Sequence, residues 1–420
     1  MKKSILALVL VFILGFACAC NEGGAISSNV AQQISSEPKP SFEKLSEKYS
    51  AKITPQEVSL SGATSKSAAA FSYELFKKSY VDTKNTLLSP ISALSALTLA
   101  ANGTDGQTLS QMEIALGADK DTLNQYLYSY RTSISNNESF ILSNSVWLKN
   151  DVTADSGFLQ ANADYHAADI FSAPMDNDTI DKINGWTSEK TNGKITKLIG
   201  ELPANTIFCL VNAALFDAKW EKSYSDSSIR NLSFYSPSGS QKKTDFLCSS
   251  EDLYISGDGY SGFVKPYSDD RYAFAAFLPD GESSLAELVD SFDGDEFIDA
   301  ITSAEITKVA VYMPTFSIES QTDLIPVLKS MGMNDAFDPS NADFSKISRA
   351  CWISQVNQKA KIEVTREGTS AVAATAVVAT RKSAGSSSIK SVNLNRPFLY
   401  AVVDLEANLP IFIGTTSYIN

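Results

Sequence analysis

Trp352–Thr380, W-I-S-Q-V-N-Q-K-A-K-I-E-V-T-R-E-G-T-S-A-V-A-A-T-A-V-V-A-T, is the stretch on which the reading of this chain turns. Ile353 to Thr365 is rich in β-branched residues and reads as a strand. Arg366-Glu367-Gly368 interrupts it, and Thr369 to Thr380 then contains only Thr, Ser, Ala and Val. Arg381-Lys382 follow at once, and Ser383 to Ser388 is a Ser/Gly-rich run. Ala is a poor strand former while Val and Thr are good ones, so the segment is weakly committed to any one place. Yet it holds no charge, proline or large side chain that would keep it out of a sheet. Strand side chains alternate between faces, so Thr369, Ala371, Ala373 and Thr375 would point one way together. All four are small, as sliding between strands and packing on helices beneath requires. Local composition alone favours an Ala-rich helix or a plain exposed linker, and the rest of the chain reverses that preference.

Outward from this segment the chain alternates helical and strand patterns. Ser89-Pro90 followed by Ile91, Leu94, Leu97 and Thr98 supplies an N-cap, a first-turn proline and an apolar stripe at helical spacing, with Gly103 placed to end the helix. Thr108 to Leu116, closed by Gly117, repeats that logic, and Asp178 to about Asn192 is a third helix with an acidic first turn, interrupted by Gly185. Strands are expected at Thr206–Phe216, Tyr272–Leu278 and Lys308–Ile318, and Phe398–Leu405 with Ile411–Thr415 reads as a hairpin. Helices cluster early and strands late, with both mixed, so the fold class is α+β.

The amino-terminal end reads differently. Met1-Lys2-Lys3 is a positive start, Ile5 to Ala19 is an apolar run short for a membrane span, and Ala17-Cys18-Ala19-Cys20 offers small residues before a cysteine. Residues 1–19 are therefore expected to be a signal peptide lying outside the fold. The pattern resembles a lipoprotein signal with Cys20 as the acylated cysteine, although Ala17 stands where such boxes usually carry Leu; an ordinary cleaved signal is the alternative. Residues 20–41 are a flexible tether rich in Gly, Ser, Gln and Pro. Residues 42–420 form one domain, with no later Pro/Gly-rich break. The expected localisation is exported, at a cell surface or in a periplasm.

Of the 420 residues 44 % are hydrophobic and 20 % charged, an ordinary globular composition, and the net charge of −13 argues against a nucleic-acid partner. Cys209, Cys248 and Cys351 remain beyond Cys20. Three cysteines cannot all pair, and none has metal-ligand spacing with another, so no metal and no cofactor is expected. Cys209 lies in an apolar run and reads as a buried thiol, while a Cys248–Cys351 disulfide stays open.

From Lys66 to Asn420 the chain resembles the serpin family. The motifs, in family order, are Asn85-x-x-x-Ser89-Pro90-x-Ser92 and Ile183-Asn184-x-Trp186 with Thr191-x-Gly193-Lys194-Ile195. Val211-Asn212-Ala213-Ala214-Leu215-Phe216 with Trp220 follows, then Pro266-Tyr267, Leu278-Pro279 and Met313-Pro314-x-Phe316. Leu328-x-x-Met331-Gly332, Asp335-x-Phe337 and Asp343-Phe344 precede Arg396-Pro397-Phe398 and Phe412-x-Gly414. The resemblance implies three β-sheets, eight or nine helices and an exposed reactive loop at about residues 366–390. It also implies a hinge at Gly368-Thr369-Ser370-Ala371-Val372-Ala373-Ala374-Thr375. The reactive bond falls fourteen residues after the hinge glycine, between Lys382 and Ser383, with Arg381 as the alternative. The implied partner is a serine protease of trypsin-like specificity, trapped by a monomer. A polar cluster governing sheet opening is implied at Ser89, Ser92, Asn212 and Gln358, with Trp220. Two positions depart from the family pattern: Arg366 replaces a common Glu, and Gln358 replaces a common His.

An exported serine hydrolase is the rival from another class. It needs a base for its serine, and the chain has a single histidine, His166, in a polar stretch where a surface position is expected. No G-x-S-x-G turn is present. A non-inhibitory serpin acting as a binding or structural protein is the second rival, favoured by Val372 in a hinge often dominated by Ala. A solute-binding lipoprotein would fit the signal but not the ordered motifs.

Overall fold

The computed structural model describes residues 8–18, 42–203, 205–281, 283–349, 351–369 and 390–419. The first sheet runs, edge to edge, β13 (Phe316–Asp323), β14 (Cys351–Val364), β1 (Leu8–Cys18), β6 (Thr206–Phe216), β4 (Phe140–Lys149), β5 (Asp169–Ala173) and β2 (Glu43–Lys44). The second runs β16 (Lys390–Asn393), β12 (Glu305–Pro314), β9 (Gln241–Gly257), β10 (Tyr260–Pro266), β11 (Tyr272–Pro279), β17 (Phe398–Asp404), β18 (Leu409–Thr416) and β3 (Leu87–Leu88), and β8 (Ile229–Tyr235) also pairs with β9. The third is a short pair, β15 (Gly368–Thr369) on β7 (Ala218–Lys219).

Nine α-helices accompany the three sheets among the described residues: α1 (Ala63–Ser79), α2 (Pro90–Ala101), α3 (Gly106–Leu116), α4 (Lys120–Ser133), α5 (Ser156–His166), α6 (Asn177–Lys190), α7 (Leu285–Asp290), α8 (Gly294–Thr302) and α9 (Ile325–Ser330). Every residue of α2 is buried, as its near-continuous apolar sequence requires of a helix lying under β1, β6 and β18. Pro90 starts it without losing a hydrogen bond, because the first N–H groups of a helix have no partner within it. α6 begins with a reciprocal cap between Asp176 and Thr179 and covers the opposite face of the first sheet. Its Ile180, Ile183 and Trp186 pack with Trp147 and Val211.

One expectation is corrected here. Lys308–Ile318 is not one strand: β12 belongs to the second sheet and β13 to the first. Pro314 has no N–H to continue a ladder, and Thr315 donates instead to the Asp245 carbonyl at 2.8 Å, so the chain changes sheet there. Residues 8–18 belong to the stretch read from sequence as a signal peptide. They run as β1 between β14 and β6, antiparallel to both. Val9 faces Lys361 and Cys18 faces Cys351 on one side, while Leu8 faces Phe216 and Ala17 faces Thr206 on the other. An unbroken apolar run suits a central strand covered on both faces as well as it suits a leader. Leu14 is 0 % exposed in the main core, and Ile13, 7 % exposed, joins the cluster under α6.

Candidate functional site

The strand β14 ends at Val364, and the chain reverses within four residues. The Thr365 amide donates to the Gly368 carbonyl at 3.1 Å, and the Thr365 hydroxyl binds the same oxygen at 2.9 Å. Gly368 has φ +155°, and a Cβ there would stand 2.4 Å from the Ala218 carbonyl oxygen. Only glycine lets β15 approach β7 this closely. Thr369 follows with 0 % exposure, its hydroxyl sharing a 2.8 Å hydrogen bond with that of Tyr267.

Aromatic residues build the floor under this turn. The Trp220 indole stacks on Tyr267 at 4.6 Å between centroids and 12° between planes. Its Nε1–H donates to the Thr365 carbonyl at 2.9 Å, its backbone amide donates to Glu367 at 3.1 Å, and the Tyr224 amide donates to Arg366 at 3.0 Å. Beneath Trp220 and Tyr224 lies a buried ion pair, Lys265 Nζ to Glu251 Oε1 at 2.8 Å. Arg366, the departure from the family pattern, reaches outward to Asp226 at 2.5 Å and to Glu367 at 2.8 Å. Arg366 and Asp226 are open to solvent and Glu367 is half-buried, so these contacts contribute little, of order 0–1 kcal/mol.

The polar cluster lies lower, between α2 and the first sheet. Gln358 Nε2 donates to the Ser89 carbonyl at 3.0 Å, and its Oε1 accepts from the Ser89 amide at 3.2 Å. Ser92 donates to Asn212, whose Nδ2 donates to Asn144 Oδ1 at 2.7 Å. Ser95 donates to the same Asn144 oxygen at 3.2 Å. Gln358 is thus joined to the backbone of Ser89, whose own hydroxyl has no hydrogen-bond partner. Trp220 packs under the Arg366–Gly368 turn and not in this cluster. The residues sequence reading missed are Asn144 and Ser95, and Tyr267 was read only as part of a motif, without its place under the turn. A polar S-N-S interval inside the apolar strand F-I-L-S-N-S-V-W-L-K was the available signal for the first. Asn212→Ala should strip the Ser92 hydroxyl and the Asn144 oxygen of a partner each, costing about 1–3 kcal/mol. A thermal midpoint unchanged from the parent would contradict that.

His166 is corrected from a surface position to a buried one, 2 % exposed. Its Nε2 donates to Asn124 Oδ1 at 2.8 Å, within a network that joins Asn102 and Asn162. Desolvation, with the nearby Arg131 charge as the smaller cause, lowers its pKa from 6.5 to about 3. Between those values the unfolded chain binds a proton that the folded chain refuses, so stability is lost as pH falls through that window. The loss is about 2 kcal/mol at pH 5. His166→Gln should flatten the fall in thermal midpoint between pH 7 and pH 4.5, measured against the parent.

Ser370, Ala371, Val372, Ala373, Ala374, Thr375, Arg381, Lys382, Ser383 and Cys20 lie outside the described residues. Cys209 and Cys248 are free thiols, so the Cys248–Cys351 pair is not formed, and burial pushes the Cys209 thiol up to about 12. Among the described residues no three His, Cys, Asp or Glu side chains gather as metal ligands, and no helix is long and apolar enough to cross a membrane.

Comparison with known proteins agrees with this geometry. Residues 66–419 match the family model described as Serpin (serine protease inhibitor). Human Serpin B8 is 30 % identical over 355 residues, covering 80 % of this chain and 93 % of that protein. An uncharacterized serpin-like protein of Methanosarcina acetivorans is 28 % identical over 82 % of this chain and 84 % of its own length. The thermophilic serpin tengpin in its native state superposes with a TM-score of 0.84 at 40 % identity, over 90 % of this chain and all of that one. Tengpin in its latent state gives 0.78 at 39 % identity, over 87 % of this chain and all of that one.

Proposed function

The chain belongs to the serpin family, and we propose that it inhibits trypsin-like serine proteases as a suicide substrate. Serpins are in general protease inhibitors rather than enzymes. The protease serine attacks the Lys382 carbonyl, the Lys382–Ser383 amide breaks, and its amine leaves with the proton taken from the serine. The acyl-enzyme ester stays on Lys382. The freed segment from Thr369 onward then enters the first sheet as a strand, the known mode of the family. Pairing and burial gained there carry the protease across the molecule before water can release it.

One observation supports this reading most. β6 and β14 lie parallel to each other, each paired antiparallel to β1, so the sheet would have a place for one further strand once residues 8–18 are removed. A chain reversing at Arg366–Gly368 runs in the sense that this place accepts. The small residues from Thr369 to Thr380 suit that slot, and the inhibitor name of a relative, intracellular coagulation inhibitor 2 of Tachypleus tridentatus, is consistent with it (25 % identity over 82 % of this chain and 88 % of that protein). The non-inhibitory reading retains Val372 in its favour.

Under the same proposal residues 1–19 are a signal peptide, Cys20 carries lipid after cleavage, and residues 20–41 tether a monomeric domain to a membrane surface. Cleavage before Cys20 removes β1 and leaves the place between β6 and β14 open. Mass spectrometry of the amino-terminal peptide from the exporting cell tests the anchor: an unmodified Cys20 or an intact leader would overturn it. Mixing the processed protein with trypsin on a denaturing gel tests the inhibition. A covalent band at the summed mass, with a released fragment starting at Ser383, is expected. Cleavage without that band, with trypsin still active, would favour the non-inhibitory reading.

A further inference from the structure

We propose that the gap between β6 and β14 is a binding site for the chain's own leader, and that the leader-bearing form is thereby locked against trapping a protease. The activity consequence rests on the inhibitory reading above; the binding itself rests on strand geometry alone.

β1 takes backbone partners along both neighbours, from Val9 opposite Lys361 to Cys18 opposite Cys351 on β14, and from Leu8 opposite Phe216 to Ala17 opposite Thr206 on β6. The reactive segment would need the same partners. The bond from the Thr365 amide to the Gly368 carbonyl sets an antiparallel register in which Thr369 falls opposite Val364. Continued along β14, that register brings Val372 opposite Lys361, where Val9 lies, and Val377 opposite Val356, where Leu14 lies. Facing agrees as well. Thr369 and residue 377 share a face by strand alternation, Thr369 points at the buried Tyr267, and Leu14 points into the main core.

Two segments cannot hold one set of amide partners, so occupation is exclusive. The leader is the larger occupant: Leu14 stands where Val377 would, and Ile13 where Ala376 would, each covering more apolar surface. While it is in place, a protease that cuts the reactive bond meets a loop with nowhere to go. The acyl-enzyme then hydrolyses and the protease leaves active. Signal cleavage before Cys20 removes residues 8–18 altogether, so removal of the leader is the step that arms the inhibitor.

The test compares the full chain from Met1, made without export, with the chain from Cys20, both carrying Cys20→Ser so that neither is acylated. A full-chain variant, Leu14→Asp, places a carboxylate in the core while keeping the length. Each protein is mixed with trypsin, and hydrogen exchange is measured on the amides of β6 and β14. The full chain should be cut in its loop with a covalent yield at least about tenfold below that of the shortened chain, and Leu14→Asp should restore most of the yield. Slot-facing amides of β6 and β14 should be protected in the full chain and open in the other two. Equal trapping by the full and shortened chains would overturn the lock while leaving the inhibitory reading intact. Equal amide protection would overturn the binding site. Protection that differs as expected while neither form traps trypsin would overturn the inhibitory reading and leave the leader site standing.

Discussion

Replacing Thr369 by arginine should give a protein that trypsin still cuts but that no longer holds trypsin. Thr369 directly follows Gly368, fully buried, with its hydroxyl on Tyr267 and its face toward the core. Insertion of the segment keeps that face inward at every second residue. An arginine here must either bury an unpaired guanidinium, which costs several kcal/mol, or hold the first part of the strand out of the sheet. Trapping is a race between insertion and hydrolysis of the acyl-enzyme, and a barrier raised by about 4 kcal/mol slows insertion roughly a thousandfold. The covalent band should vanish while the cleaved fragment remains. Thr369→Ser keeps the hydroxyl and should trap like the parent. A Thr369→Arg protein that traps with unchanged yield would sink insertion as the mechanism.

Lys382→Ala should leave insertion alone and strike recognition. A trypsin-like pocket pairs a buried carboxylate with the basic side chain of the residue it cuts after. Leaving that charge without a partner costs about 2–5 kcal/mol, so the second-order rate of reaction with trypsin should fall by a factor on the order of a hundred to a thousand. Arg381→Ala should change the rate little. If Arg381→Ala causes the large loss instead, and the released fragment begins at Lys382, the reactive bond lies one residue earlier. The two variants thus separate recognition from trapping: Thr369→Arg is cut quickly and traps nothing, whereas Lys382→Ala is cut slowly and still traps what it meets.

Much of the fold was legible in the chain because the signals are local. Ser89-Pro90, the stripe behind it and Gly117 mark helix ends through backbone chemistry that neighbouring residues decide by themselves. Gly368 was marked by resemblance, and the close Ala218 backbone gives the physical cause of a glycine there. The polar cluster under the first sheet was legible only in part. Ser92 and Asn212 do meet, Gln358 meets the backbone of Ser89 rather than its hydroxyl, and Trp220 lies under the Arg366–Gly368 turn. His166 shows the limit well. A polar stretch around it suggested a surface place, yet α5 turns that residue inward onto Asn124, and no neighbour in sequence reports the partner 42 residues away.

By itself the sequence determined α2, α3 and α6, the strands β6, β11, β14, β17 and β18, the α+β class and the small-residue segment after Gly368, because propensity, capping and side-chain alternation act over a few residues. Only the tertiary structure decided where strands are shared. It broke the run at Pro314 into strands of two sheets, gathered Trp220, Tyr224 and Tyr267 under the Arg366–Gly368 turn, and set Leu8–Cys18 between β6 and β14. An apolar run carries the same pattern whether it is a leader or a central strand. What distinguishes the two is a pair of unpaired strand edges supplied by residues more than 180 positions away, and a ladder of backbone hydrogen bonds leaves no mark in side-chain composition.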